Sequence, residues 1–376
     1  MIIKAFLRWT ETANASDRAK AAGALARAYL KTIGCATDQR KHAVHAMMHL
    51  LDDPSAKVRQ ALAQALAPSV HAPRSVIMGL AGDQPDVACH VLMFSPVVTD
   101  SDLVDLCGRG NAMTRGLIAA RPGLSRMAAA AIAEVGDLGE ILILLENEAA
   151  DISRYSLKRL AERFGAEASV RNQLLVRTEL PPEARHLLIG HVSSLLAASP
   201  LVQSTLSPTR IAHVTREASD LAALSLAGTA ASRDLPKLVE QLAADGRLTA
   251  AFLMHALCSG KIEFFAAAIA YLTGLDERRV RGLMATSRRH AVRALYESAG
   301  LNRPIAEVFA EATLLWREIS HRSGVAESDS ICLSLILRFK DRQDDSSVAE
   351  LLDLVESLQH SEERQLARSF ADRAAA

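Results

Sequence analysis

The densest run of reactive side chains in this sequence is cationic. The stretch DERRVRGLMATSRRHAVRALYE (276–297) holds Arg278, Arg279, Arg281, Arg288, Arg289 and Arg293. A guanidinium group offers a planar fork of donors that suits phosphate and carboxylate. Arg278, Arg281, Arg288, Arg289 and Arg293 are therefore the candidate site for an anion or an acidic partner. Acids stand close by, with Glu277 four residues before Arg281 and Glu297 four residues after Arg293. That spacing forms ion pairs along a helix. Val280, Leu283 and Met284 make the apolar stripe, which turns Arg278 away from the core and Arg281 to its side. The segment reads first as salt-bridged surface and second as an anion site. Nucleic-acid binding would want aromatic platforms among these arginines, and they are absent.

A second cluster is KHAVHAMMHLLDD (41–53), with His42, His45 and His49. At about 100° per residue these imidazoles share one helix face, a spacing that suits Zn²⁺ or Cu²⁺. Val44, Met47, Met48 and Leu51 are expected on the opposite, apolar side. The histidines therefore read as solvated surface before they read as a metal site or pH sensor.

Catalytic signatures are missing from the sequence: there is no GxSxG, Walker A, GxGxxG, HExxH or HxE…PCxxC. Cys107, beside Gly108-Arg109-Gly110, falls late on a helix and reads as packing rather than a nucleophile. Asp52-Asp53 and Asp344-Asp345 sit where helices begin, so they need no acid–base role. Trp9 and Trp316 are isolated and read as packing anchors. No cofactor is implied, and the expectation is a protein that is not an enzyme.

The elements that must position these groups are helices. Apolar residues recur at helical spacing almost throughout, as in Val58, Ala61, Leu62, Ala65 and Leu66. One phrase also recurs: Pro96-x-Val98-Thr99 and Pro122-x-Leu124-Ser125 each reach a glycine, Gly110 or Gly136, eleven residues after the hydroxyl. A related copy runs from Pro68-x-Val70 to Gly82, and copies without proline run from Ser153 to Gly165 and from Thr249 to Gly260. Proline ends the previous helix, the apolar residue staples the next, and the hydroxyl caps it. The glycine is expected to close the helix in the left-handed conformation. A second amphipathic helix comes after each turn, so the unit is helix, tight turn, helix.

At LLDDPSAKVRQALAQALA (50–67) the unit becomes nameable, because it resembles a HEAT repeat. The arginine of that pattern stands at Arg59, while Ala88, Thr114 and Ser153 occupy the positions compared with it later, so the family's Asp–Arg ladder is not expected to continue. The resemblance implies an all-α, HEAT-like α-solenoid with a C-terminal helical domain. Over nearly its full length the sequence is also similar to a large alphaproteobacterial family of unknown function. That likeness rests on DDPSAKVRQALAQALA (52–67), SPVVTDSDLVD (95–105), ARPGLSRMAAAAIAEVGD (120–137) and GRLTAAFLMHALCSGKIEFF (246–265). Two Ser-Pro pairs at 196–210 suggest a boundary between a repeat array, 1–200, and a helical domain, 201–376.

Totals narrow the function. Apolar residues are 49% of 376, enough for a large core, and 43 basic residues balance 43 acidic ones. A nucleic-acid or anionic-membrane binder generally carries a basic excess. Five scattered cysteines suit a reducing compartment. The N-terminal MIIKAFLRWTETANASDR has no signal-peptide core, and no run approaches the roughly 20 apolar residues of a membrane span. The expectation is a cytoplasmic scaffold for a protein partner in bacterial regulation or signalling. Nucleic-acid binding, or sensing of a small anion or metal, is the alternative.

Overall fold

The computed structural model describes residues 8–32, 37–286, 288–321, 331–339 and 346–375. Their regular structure is all helical, and none of these helices is long and apolar enough to cross a membrane. Tertiary contacts divide the chain into two compact units, Met1–Leu180 and Pro181–Ala376.

The first unit contains α1 (Ala15–Lys31), α2 (Thr37–Leu50), α3 (Ala56–Leu66), α4 (Arg74–Ala81), α5 (Pro85–Phe94) and α6 (Asp100–Arg109). It continues with α7 (Ala112–Ala119), α8 (Arg126–Val135), α9 (Leu138–Glu146), α10 (Arg154–Phe164) and α11 (Ala168–Val176). Sequence neighbours pack as hairpins: α2 on α3, α4 on α5, α6 on α7, α8 on α9, α10 on α11. Alternate helices also touch. The odd-numbered series runs α1, α3, α5, α7, α9, α11, and the even-numbered contacts join α2 to α4 and α6 to α8 to α10. Each helix buries a stripe at helical spacing, such as Val58, Leu62 and Leu66 of α3.

The recurring phrase does cap helices. Thr99, Ser125 and Ser153 are the N-caps of α6, α8 and α10, and each side chain accepts from the backbone N–H three residues on. Thr99 is part of a reciprocal capping box with Asp102. The copy at Pro68 departs from the pattern: it has no hydroxyl, its helix begins at Arg74, and Val70 is left exposed.

The glycines work differently from expectation. Gly110 and Gly136 have φ of −77° and −70°, and Gly82 and Gly165 are also negative, so none is left-handed. Close packing explains the first two. A Cβ at Gly110 would lie 2.5 Å from the Leu106 carbonyl oxygen, and one at Gly136 would lie 2.7 Å from that of Ile132. Only the copy in the second unit, Gly260 at φ +69°, needs the left-handed region.

The second unit opens with α12 (Pro182–Ala198), α13 (Pro200–Thr205) and α14 (Pro208–Thr229). The Ser-Pro pairs that suggested a boundary at 200 instead start helices, with Ser199 and Ser207 as N-caps and proline in the first turn. α12 belongs with the second unit because it packs on α14 and on α15 (Leu235–Ala244). The rest comprises α16 (Ala250–Cys258), α17 (Ile262–Thr273), α18 (Glu277–Met284), α19 (Arg289–Ser298), α20 (Arg303–His321), α21 (Ile331–Phe339) and α22 (Ser346–Ala375). Thr249 caps α16 as the phrase predicts. An aromatic group fills the centre, with Phe265 stacked on Phe309 at 5.9 Å and Tyr296 within 5.8 Å of both. The buried Tyr296 hydroxyl and Thr313 Oγ1 are 2.6 Å apart.

Candidate functional site

The arginine segment spans α18, the turn after it, and α19. Arg278, Arg281, Arg288 and Arg289 are exposed and Arg293 is half-buried. The two expected helical pairs form, Arg281 with Glu277 and Arg293 with Glu297. Arg281 also meets Glu263 of α17, and Arg289 reaches Glu307 and Glu311 of α20. Arg278 and Arg288 make no ion pair among the described residues. Of the five, Arg281 lines a cleft of about 360 Å³ whose walls include Trp316, Met284, Ala266 and Arg317. Three of the five candidate arginines are thus engaged by carboxylates of this chain, and the cleft receives one.

His42, His45 and His49 are all exposed on α2, as expected. The buried side of that helix is Ala46, Met47 and Leu50, whereas Met48, expected inward, is 42% exposed. His49 lines a hollow of about 320 Å³ beside Asp52 and Asp53. Among the described residues no group of three or more His, Cys, Asp or Glu is placed to hold a metal ion. Cys107 is buried, and desolvation pushes its thiol up to about 11, which keeps it protonated at neutral pH.

The first unit carries an arginine system that the repeat spacing placed one residue out of register. Arg18, Arg59, Arg115 and Arg171 each stand fourth in an odd-numbered helix, α1, α3, α7 and α11. Each reaches back to a carbonyl of the turn before its own helix: Ala13, Asp53, Gly110, and both Gly165 and Ala166. Three also reach forward into the next hairpin, Arg18 to Asp53 at 2.7 Å, Arg59 to Asp83 at 2.5 Å and Arg115 to Glu140 at 3.0 Å. One further rung thus forms beyond Arg59, Arg115 with Glu140 and Asp137, but the ladder is not continuous, in line with the expectation. Thr114 was compared with Arg59, but α6 runs on past Leu106, so α7 starts six residues after that leucine where α3 starts five after Leu51, and the equivalent place is Arg115. Ala88 and Ile141 do interrupt the row.

Two further rows tie neighbouring hairpins. Arg74 and Arg126, each first in an even-numbered helix, pair with Asp102 and Asp151. Arg121, Arg163 and Arg177 donate to carbonyls that end α5, α8 and α9, some 26 to 32 residues earlier. They satisfy helix C-termini that would otherwise lack donors. Burial pushes the Asp53 carboxyl up, but the Arg18 guanidinium and the Ser55 N–H more than reverse it, leaving it below the usual range. Arg74 is the main cause that holds Asp102 down at about 2.

These rows fix the register of the side chains beside them. In the even-numbered helices the second position is exposed throughout: Ser75, Ser101, Met127 and Tyr155 in α4, α6, α8 and α10. Met127 is 58% and Tyr155 73% exposed, on helices that touch. Periodicity marks these positions as outward, but the same row becomes visible only when the helices are stacked.

Residues 87–366 match the protein family described as an uncharacterised protein conserved in bacteria, DUF2336. The chain belongs to that family. Comparison with curated proteins and with solved structures gives no match. The DUF2336 region begins at Val87 in α5, so it takes in the α6–α11 hairpins, the Met127–Tyr155 row and the arginine segment. The Arg18 and Arg59 rungs lie before it, and their geometry repeats at Arg115 inside it.

Proposed function

We propose that this DUF2336 chain is a non-enzymatic, HEAT-like repeat scaffold whose even-numbered helices bind a protein partner. Alternating helix contacts and arginines that bridge neighbouring hairpins are what a stacked array requires. The observation that carries the reading is the exposed pair Met127 and Tyr155, at the same place in adjacent helices. Methionine and tyrosine are enriched where protein interfaces are tightest. Their alternation with Arg126 and Arg154 supplies a polar rim. Balanced charge favours a protein over nucleic acid or an anionic membrane. Buried Cys107, Cys258 and Cys332 suit a reducing cytoplasm, where a docking protein of bacterial regulation would work.

The test is quantitative capture from the native lysate by wild type and by Met127→Ala/Tyr155→Ala. The proposal expects one protein retained in stoichiometric amount by wild type and reduced at least about tenfold by the variant, a typical hot-spot loss. Equal capture by two equally stable proteins would remove this surface from the account. A second reading, a sensor of a small organic anion, is favoured only by the Trp316–Arg281 cleft. A rise in melting temperature with carboxylate or phosphate compounds, lost in Arg281→Ala, would support it.

A further inference from the structure

The second unit contains a helical arm, α12 to α14, that shares no residue with either surface above. α12 and α14 pack on each other, joined through the short α13. From His186 to Thr209 there are twenty-four consecutive residues without Asp, Glu, Lys or Arg, in a chain that is 23% charged. Such a run would ordinarily signal a buried segment. Here it is largely exposed: Leu195 is 50%, Leu196 57%, Leu201 74% and Leu206 42% open to solvent.

Helix geometry shows that the exposure is organised. Ala184, Leu188 and Leu195 follow one another at four and seven residues, so they share a face of α12. That face is buried at Ala184 and Leu188, 0% and 1% exposed, and open at Leu195. On α14, Val214, Ala218 and Leu221 form a second stripe at helical spacing, with Val214 41% and Leu221 47% exposed. The helix's inward side runs through Ser219, Ala223 and Ala227 instead, and the outward stripe is buried only at its start, at Ile211. Between the two helices lies a polar contact, Ser193 Oγ with Ser219 Oγ at 3.1 Å. The arm therefore keeps a hydrogen bond inside and turns leucines outward.

We propose that this arm docks a second copy of the same chain, hairpin against hairpin, as a four-helix bundle. Three observations choose that occupant. The stretch 186–209 carries no charges, and beside the α14 stripe Arg216 is offset by Glu217 and Asp220, so the surface has no single sign of charge with which to select a different protein. It lacks the run of lysines and arginines that holds amphipathic helices on anionic bilayers, with only Arg210 and Arg216 on α14, beside Glu217 and Asp220. Its apolar side chains expose on the order of 500 Å² per copy, so pairing two would bury about 1,000 Å² or more, the scale of a specific interface. A two-fold axis needs only one self-complementary patch, which is what the two stripes offer. The inference does not depend on partner binding by the first unit.

Sedimentation velocity on the full chain, from about 1 to about 100 µM, reads the outcome directly. Wild type is expected to dimerise within that range. Leu201→Glu and Leu221→Glu, both at open positions, are each expected to weaken the dimer at least about tenfold. Val176→Glu, at an 83% exposed site of the first unit, leaves it unchanged. Circular dichroism confirms that each variant is as helical as wild type, and the milder Leu201→Ser repeats the measurement if one is not. A wild type that stays monomeric overturns the proposal. So does a dimer indifferent to both arm substitutions, and so does a monomer that instead floats with neutral phosphatidylcholine vesicles.

Discussion

Replacing Asp102 with asparagine isolates one inter-hairpin tie. Its carboxylate accepts from Arg74 at 2.6 and 2.8 Å and from the Thr99 N–H at 2.9 Å, so it closes a capping box and bridges α4 to α6. Arg74 is the main cause that lowers its pKa from 3.8 to about 2. At about 1.4 kcal/mol per unit, such a shift is worth about 2 kcal/mol in the fully ionised range. The carboxylate is 11% exposed but its guanidinium partner is 54% exposed, so solvent screening reduces the expected loss to about 1–2 kcal/mol. The asparagine oxygen can still accept from Thr99, while its amide NH2 takes the place of Oδ1, so the change removes the charge and the Arg74 Nη2 hydrogen bond together. Because the folded pKa is depressed, the contribution is complete above the unfolded value and is lost as pH falls through the folded one. Roughly half should remain at about pH 3. Urea unfolding followed by circular dichroism, with hydrogen exchange in α4–α7 to localise the effect, measures it. A variant within about 0.3 kcal/mol of wild type at neutral pH, or a difference that stays constant down to pH 3, would refute the reasoning.

Gly108 and Gly110 offer a paired contrast within one helix end: the first sits in open space and the second against the Leu106 carbonyl. Gly108→Ala is expected to hold or raise stability by up to about 1 kcal/mol, and Gly110→Ala to lower it by about 1–3 kcal/mol, in the same urea assay. His186 is 6% exposed, 3.1 Å from Asp245, and burial holds its pKa below the ordinary value, as it does for His255. The unfolded chain therefore takes protons first, so the melting temperature should fall as pH drops below about 6.5, and less so in His186→Gln. Tyr296→Phe removes the hydroxyl that meets Thr313 and is expected to cost about 1 kcal/mol without altering helix content, read by thermal melting and circular dichroism.

Local signals were legible and registers were not. Thr99, Ser125, Ser153 and Thr249 could be read as caps because capping involves residues three apart in sequence. The pairs Arg281–Glu277 and Arg293–Glu297 were readable for the same reason, lying one helical turn apart. The arginine rows join residues 24 to 35 apart, and a helix start one residue later relative to its anchor leucine hides Arg115 behind Thr114. Glu263, Glu307 and Glu311 engage the candidate arginines from other helices, which no local pattern announces. Gly110 and Gly136 were recognised as turn residues for the wrong physical reason, since only coordinates separate a close approach from a left-handed backbone. The α12–α14 arm was the least visible, because its two Ser-Pro pairs read as a domain boundary and nothing local tells that the uncharged run 186–209 faces outward.

The central claim, that a protein partner sits on the even-numbered helices, is tested most directly inside the cell. A photoreactive phenylalanine analogue placed at Tyr155 or at Met127 would cross-link whatever covers them. The same analogue at Val70, 67% exposed in the first unit and outside the row, serves as the control. The account predicts one discrete protein adduct, shared by positions 155 and 127 and missing at 70. No adduct at either position, or the same adducts at all three, would contradict it.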